Sequence, residues 1–186
     1  MNHIMLDLET LDTSSSAVVL SIGAVAFDPY TDELGDRFYV EMTDDISTQQ
    51  ACGRTISGDT VCWWMRQSVV AKRVFSAVPS DGVERACTLD ALTYFTRFVE
   101  ANGGTNIELW GNGADFDNII LGTLYDAFAL AKPWYYSHNR CYRTMKNLGI
   151  GPRRPQSRDG VHHNALDDAI TQARHLQEIF ACLKPR

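Results

Sequence analysis

Asp7-Leu8-Glu9-Thr10 puts two carboxylates two residues apart at the end of a short apolar run in which Ile4, Leu6 and Leu8 alternate with them. In an extended strand, side chains two apart share a face, so Asp7 and Glu9 point one way and the three aliphatic side chains the other. Two like charges this close repel, and a divalent cation between them reverses that logic.

A second acidic group lies in Trp110-Gly111-Asn112-Gly113-Ala114-Asp115-Phe116-Asp117-Asn118, where a strand breaks at glycines and a helix begins. At about 100° per residue, Phe116, Ile119, Ile120, Leu124 and Ala127 form an apolar stripe, with Asp117 on its flank and Asp115 near the opposite side. Asp117 is the better candidate for chemistry. The third group is His162-His163-Asn164-Ala165-Leu166-Asp167-Asp168, ahead of a stripe of Ala165, Leu166, Ile170, Ala173, Leu176, Phe180 and Leu183. Asp168 lies nearer the edge of that stripe than Asp167. Asn164 is placed to cap the helix, which leaves His163 on the preceding loop. A loop histidine beside a carboxylate can act as a general base with a pKa of about 7.

These groups need elements to hold them. Residues 3–9, 17–28 and 36–42 read as strands of an antiparallel meander, with the polar turn 12–16 between the first two. Short helices are expected at 60–67 and 69–75, and a longer one at 89–101, stopped by Asn102-Gly103-Gly104. A buried strand at 107–110 precedes helices at 115–130, 141–148 and 164–183. That order gives an α/β protein with a mixed sheet rather than a doubly wound parallel one. Segment 149–160, rich in Gly, Pro and Arg, reads as a mobile active-site loop.

The 186 residues, 45% of them hydrophobic, suffice to bury roughly 70% of the unfolded surface, so residues 1–186 are expected to form one domain. No run of about 18 apolar residues is available to cross a bilayer, and residues 1–4 lead into the first strand without a basic leader. A cytoplasmic enzyme is expected. Five scattered cysteines without a CxxC pair argue against a disulfide framework and read as small buried hydrophobes. Adjacent His162 and His163 are not expected to share a zinc ion, because sequence neighbours do not easily point into one site. Gly111-x-Gly113 is too short for a dinucleotide fingerprint. A net charge of −6 opposes long-range attraction to a polyanion. However, Arg140, Arg143, Lys146, Arg153, Arg154 and Arg158 fall in one stretch free of Asp and Glu, an arrangement suited to a phosphate path. Trp63 and Trp64 are neighbours on a helix, so one ring should pack and the other is free to stack on a nucleobase.

Asp7-x-Glu9-Thr10, the Asn112 to Asp117 segment and His163-x4-Asp168, in this order and spacing, resemble the three motifs of the DEDDh 3′–5′ exonucleases, which include polymerase proofreading subunits, RNase T and oligoribonuclease. Only His163, not His162, has the five-residue offset to Asp168. Thr60-Val61-Cys62-Trp63-Trp64-Met65 together with Tyr142-Arg143-Thr144 is similar to the RNase AS-like and phage-type branch.

The resemblance implies an RNase H-like fold, a mixed five-stranded sheet flanked by helices, and two-metal hydrolysis of a terminal phosphodiester. It implies that Asp7, Glu9, Asp117 and Asp168 hold two Mg²⁺ or Mn²⁺ ions, with Asp7 bridging and His163 deprotonating the attacking water. Two cations about 4 Å apart stabilise both the entering and the leaving oxygen, and carboxylates suit these ions better than zinc. Thr10 and Leu11 would seat the 3′-terminal nucleotide beside Asn112, with Trp63 or Trp64 stacking and Arg153 and Arg154 on the phosphates. The expected partner is the 3′ end of single-stranded RNA or DNA, with a lean to RNA, and the expected assembly a homodimer. Asp117→Ala and Asp168→Ala are expected to abolish cleavage with the fold intact. The alternatives are an RNase H-like endonuclease and a non-catalytic nucleic-acid-binding module on the same fold.

Overall fold

The computed structural model describes residues 1–76, 79, 82–158 and 160–183, so position 159 of the 149–160 segment lies outside the described residues. Five strands, β1 (His3–Thr10), β2 (Val19–Phe27), β3 (Leu34–Glu41), β4 (Glu108–Gly111) and β5 (Asn139–Cys141), form one sheet in the order β3-β2-β1-β4-β5. The first three are antiparallel neighbours, whereas β4 runs parallel to β1 and β5 parallel to β4. The sheet is therefore mixed, as the element order predicts, and the carboxyl ends of β1 and β4 lie on the same side.

Alternation along the strands sorts the core into two layers. Ile4, Leu6 and Leu8 join Ile22, Ala24 and Val40 against helices α3 (Thr88–Ala101) and α4 (Asp117–Ala127). On the other face, Met5, Val25, Phe27 and Trp110 pack against Tyr142 of helix α5 (Tyr142–Asn147) and the apolar stripe of α6 (Ala165–Leu183). Strand β2 is buried at every position because helices cover both faces, which is why its sequence is apolar at every position but Ser21 rather than an alternation. Leu11, Val18, Leu20 and Trp64 form a smaller cluster with Ala71 and Val74 under helix α2 (Gly58–Met65).

Several elements depart from the sequence expectations. Strand β5 is three polar residues long, too short to show periodicity; Asn139 nonetheless accepts hydrogen bonds from Asn118 and Trp134. Helix α1 (Ile46–Ala51) was also hidden. Its Gln49 amide both donates to the carbonyl of Val19 and accepts from its N–H, so the helix acts as an extra strand partner. Helix α2 starts and ends two residues before the predicted 60–67, and residues 71–75 form a 3-10 turn. Helix α4 begins at Asp117 rather than 115 and ends at Ala127 rather than 130. Four of the five cysteines are exposed, contrary to the expectation of burial, and Cys141 is half-buried, its Sγ accepting from the Thr144 N–H to cap α5.

One contact fixes the distance between the sheet and α6. Gly23 of β2 is the register partner of Asp7, and a Cβ on it would fall 2.1 Å from the carbonyl carbon of Ala165. Only glycine lets the start of α6 lie this close to the sheet.

Candidate active site

The cleft at the carboxyl end of β1 has a volume of about 630 Å³ and is lined by residues from β1, α2, α5 and α6 and from the turn after β4. Asp7 and Glu9 share one face of β1, the α6 face, as their spacing predicts. Just beyond Glu9 the β1–β2 register shifts, a bulge of the kind that re-aims side chains at functional sites. Asp168, on the first turn of α6, brings a third carboxylate: ligand oxygens of Asp7, Glu9 and Asp168 lie within 4.8 Å of one another.

Asp117 is the most deeply buried of the four, at 1% exposure. Its two oxygens accept the N–H groups of Leu8 (3.1 Å) and Asn112 (2.6 Å), tying the N-terminus of α4 to β1 and to the end of β4. Gly111 is required here, since a Cβ would meet the Asn118 side chain at 2.1 Å. Asp115 lies outside the helix.

Crowding and burial set the electrostatics. Burial, then the charges of Asp117, Glu9 and Asp168, hold the Asp7 carboxyl well above the usual carboxylate range. Burial with the charges of Asp168 and Asp117 pushes Glu9 up to about 8, against the pull of Arg158. Asp117 rises to about 6 through burial, opposed by its two backbone donors. Asp168 is also raised by burial, opposed by Arg158 and by the N–H of His163. Four carboxyls that resist ionisation together, supplying only hard oxygen donors, fit Mg²⁺ or Mn²⁺.

His163 lies against an aromatic wall, its ring centroid 4.8 Å from that of Trp63 and 6.1 Å from that of Trp64, both edge-on. Burial, with His162 and Arg158 nearby, lowers its pKa to about 4, so the imidazole is neutral at pH 7. Asn164 caps α6 as expected, accepting from the N–H groups of Leu166 and Asp167. Asp167 turns away to accept from Val161 N–H (2.7 Å), leaving Asp168 to the cluster. The two adjacent histidine rings do not diverge, as sequence neighbours were expected to. His163 has φ 65°, and this left-handed backbone brings both rings into the cleft with centroids 3.8 Å apart.

The remaining predicted site residues divide. Thr10, Asn112, Trp63 and Trp64 line the cleft. Trp64 is buried and donates to the carbonyl of Thr10 at 2.8 Å, while Trp63 is 40% exposed. Leu11 sits in the small cluster behind Trp64, outside the cleft lining. Arg153 and Arg154 lie exposed on the 149–160 segment, also outside it. Of the other basic residues, Arg143 lines the cleft, Arg140 pairs with Glu108 at 2.6 Å, and Arg158 pairs with Asp168.

Two further contributors escaped sequence reasoning. Gln172 donates to Asp7 at 2.6 Å while its own Oε1 is buried without a partner among the described residues; its position four residues after Asp168 on the same helical face was the available signal. Gly23 was marked only by being a glycine inside an apolar strand.

Solved structures share this architecture. The nuclease domain of 3′hExo, a DEDDh family member bound to rAMP, aligns with a TM-score of 0.61 at 14% identity, over 96% of this chain and 91% of that one. A 3′-exonuclease described for 3′-end specific recognition of histone mRNA stem-loop aligns at 0.56 and 13% identity, over 96% and 81%. Cell-death related nuclease 4 gives 0.52 and 13%, over 96% and 63%. In sequence, the exodeoxyribonuclease of Enterobacteria phage T4 is 30% identical over 132 residues, 65% of this chain and 54% of that protein, so the chain spans about half the length of this relative. Residues 2–180 match the family described as the 3′-5′ exoribonuclease Rv2179c-like domain. With that match covering every residue that lines the cleft, the chain belongs to the Rv2179c-like family of 3′-5′ exoribonuclease domains and shares the fold of a DEDDh family member.

Proposed function

We propose that the protein is a divalent-metal-dependent 3′–5′ exonuclease that releases nucleoside 5′-monophosphates from single-stranded or frayed ends, with RNA as the preferred polymer. The observation that carries this reading is the convergence of Asp7, Glu9, Asp168 and a neutral His163 in one cleft, with the buried Asp117 close enough for its charge to act on Asp7 and Glu9. The four carboxylates would hold two Mg²⁺ or Mn²⁺ ions, Asp7 serving both. When bound, such ions stabilise the entering and leaving oxygens of an in-line displacement.

The chain's own residues do the rest. His163 accepts the proton of the attacking water through a ring nitrogen, and the tryptophan wall holds that ring in place. Thr10 and Asn112 flank the terminal nucleotide, Trp63 offers its exposed ring to a base, and Leu11 acts through Trp64, which it backs. Arg143 meets phosphates within the cleft, and Arg153 and Arg154 extend the positive path along the polymer. The name of the family and the RNA contacts of the structural neighbours support RNA, against the phage relative named for DNA. A homodimer belongs to the same reading and is checked by sedimentation of the purified protein, and so does a cytoplasmic location, checked by fractionation of cells that make it.

Parallel digestion of matched single-stranded RNA, single-stranded DNA and duplexes, each labelled at a defined end, tests the proposal. A ladder shortening from the 3′ end in Mn²⁺, faster on RNA and stopped by EDTA, is the expected result. Internal cuts would instead identify an endonuclease, and binding without turnover a non-catalytic module.

A further inference from the structure

We propose that His162, His163 and Asp168 form a site for a borderline transition-metal ion, Zn²⁺ being the natural occupant, which shares Asp168 with the carboxylate cluster but is otherwise separate from it. One ligand atom from each of the three lies within 4.8 Å of the others. A tetrahedral zinc ion with bonds of about 2.0–2.1 Å needs neighbouring ligands about 3.4 Å apart, a gap that small side-chain rotations close.

Three features favour metal over coincidence. Sequence neighbours normally diverge, and here, with a left-handed backbone at His163, the two ring centroids come to 3.8 Å with their planes tilted at 54°. Non-glycine residues adopt this conformation sparingly, and such strain gathers at functional sites. No ring nitrogen of either histidine has a hydrogen-bond partner among the described residues, so both imidazoles present free donors. Asp168 is held by the N–H of His163 and by Arg158, the outer contacts that orient a ligating carboxylate.

Ligand chemistry separates the two sites. Two imidazoles and one carboxylate suit zinc, whereas Asp7, Glu9 and Asp117 offer only hard oxygen. Three protein ligands leave a fourth position to water or a nucleotide oxygen. An ion here occupies a ring nitrogen of His163 and an oxygen of Asp168, so it silences the base and competes for a carboxylate: zinc is an inhibitor of this enzyme.

Zn²⁺ titration against a chromophoric chelator, with Co²⁺ absorption as a second readout, tests the site without reference to nuclease activity. His162 is exposed, so His162→Asn should fold normally. It should weaken Zn²⁺ binding by about tenfold or more, the scale on which a lost ligand contact acts, and should leave Mn²⁺ binding unchanged. Asp7→Asn should still bind Zn²⁺ and, with Co²⁺, still show the spectrum of a low-coordinate imidazole site. Wild-type affinity for Zn²⁺ in His162→Asn, or its loss in Asp7→Asn, would place the ion in the carboxylate cluster and overturn the proposal. Inhibition by Zn²⁺ of Mn²⁺-supported cleavage, relieved in His162→Asn, is the expected functional counterpart. An inactive protein that still binds Zn²⁺ through His162 would count against the exonuclease reading alone.

Discussion

Gly23 and Ala165 touch backbone to backbone where β2 passes beneath the start of α6, leaving no room for even a methyl group between them. Because Gly23 pairs with Asp7 and Asp168 lies three residues after Ala165, this contact sets how far apart the two carboxylates stand. Gly23→Ala should therefore push α6 outward, costing about 1–3 kcal/mol as overpacking does. Urea denaturation and Mn²⁺ titration of the same variant should show lower stability and weaker metal binding together. Unchanged metal binding would mean that the helix is placed by other contacts.

Asp117 and Asp168 should differ when replaced. Asp117→Ala strands two backbone N–H groups, those of Leu8 and Asn112, and each unpaired donor costs on the order of 1–3 kcal/mol. Activity and stability should both fall, whereas Asp168→Ala strands a single part-buried N–H, that of His163, and releases the partly exposed Arg158 while relieving a crowded carboxylate, so it should abolish cleavage at a smaller cost in stability. Thermal melts of the two variants make the comparison.

The metal-free protein should lose stability as pH rises from about 6.5 to 8. Glu9 is raised from 4.5 to about 8, so across that range the folded state keeps a proton that the unfolded chain has released, and rising pH favours unfolding. His163, lowered from 6.5 to about 4, works in the opposite sense but only below its unfolded value. Melting temperatures in EDTA should therefore fall through the upper interval. Mn²⁺ should restore them and release protons on binding, and a flat metal-free profile would contradict the crowding described for the carboxylates.

Gln172→Leu should raise the Mn²⁺ concentration needed for half-maximal activity by about 10–100-fold, the usual effect of losing a group that orients a metal ligand. At saturating Mn²⁺ the rate should return close to wild type. A variant that saturates normally would show that Asp7 needs no donor from α6.

His163→Ala should lower kcat by about 10²–10⁴, the range for a general base, with little change in KM. Trp63→Ala should do the reverse, raising KM while sparing much of kcat, if its exposed ring receives a base. Steady-state kinetics on one labelled oligonucleotide distinguishes the two patterns.

Period and spacing in the sequence were enough to place Asp7 and Glu9 on one face of a strand, Asp117 and Asp168 as the members of their acidic pairs that approach them, and His163 outside a helix capped by Asn164. Those features are local: a strand repeats every two residues, and a capping side chain reaches only two or three residues along. Strand β5 and helix α1 were not legible, because three polar residues show no period and Gln49 earns its place by bonding Val19, thirty positions away. The distances within the cluster were likewise decided by tertiary structure, through Gly23 under α6 and the two backbone donors on Asp117. So was the joint aim of His162 and His163, which depends on a left-handed backbone at a residue that does not ordinarily favour one. Sequence pattern reports what each segment prefers alone, whereas the separation of side chains more than a hundred residues apart depends on how closely whole elements can pack.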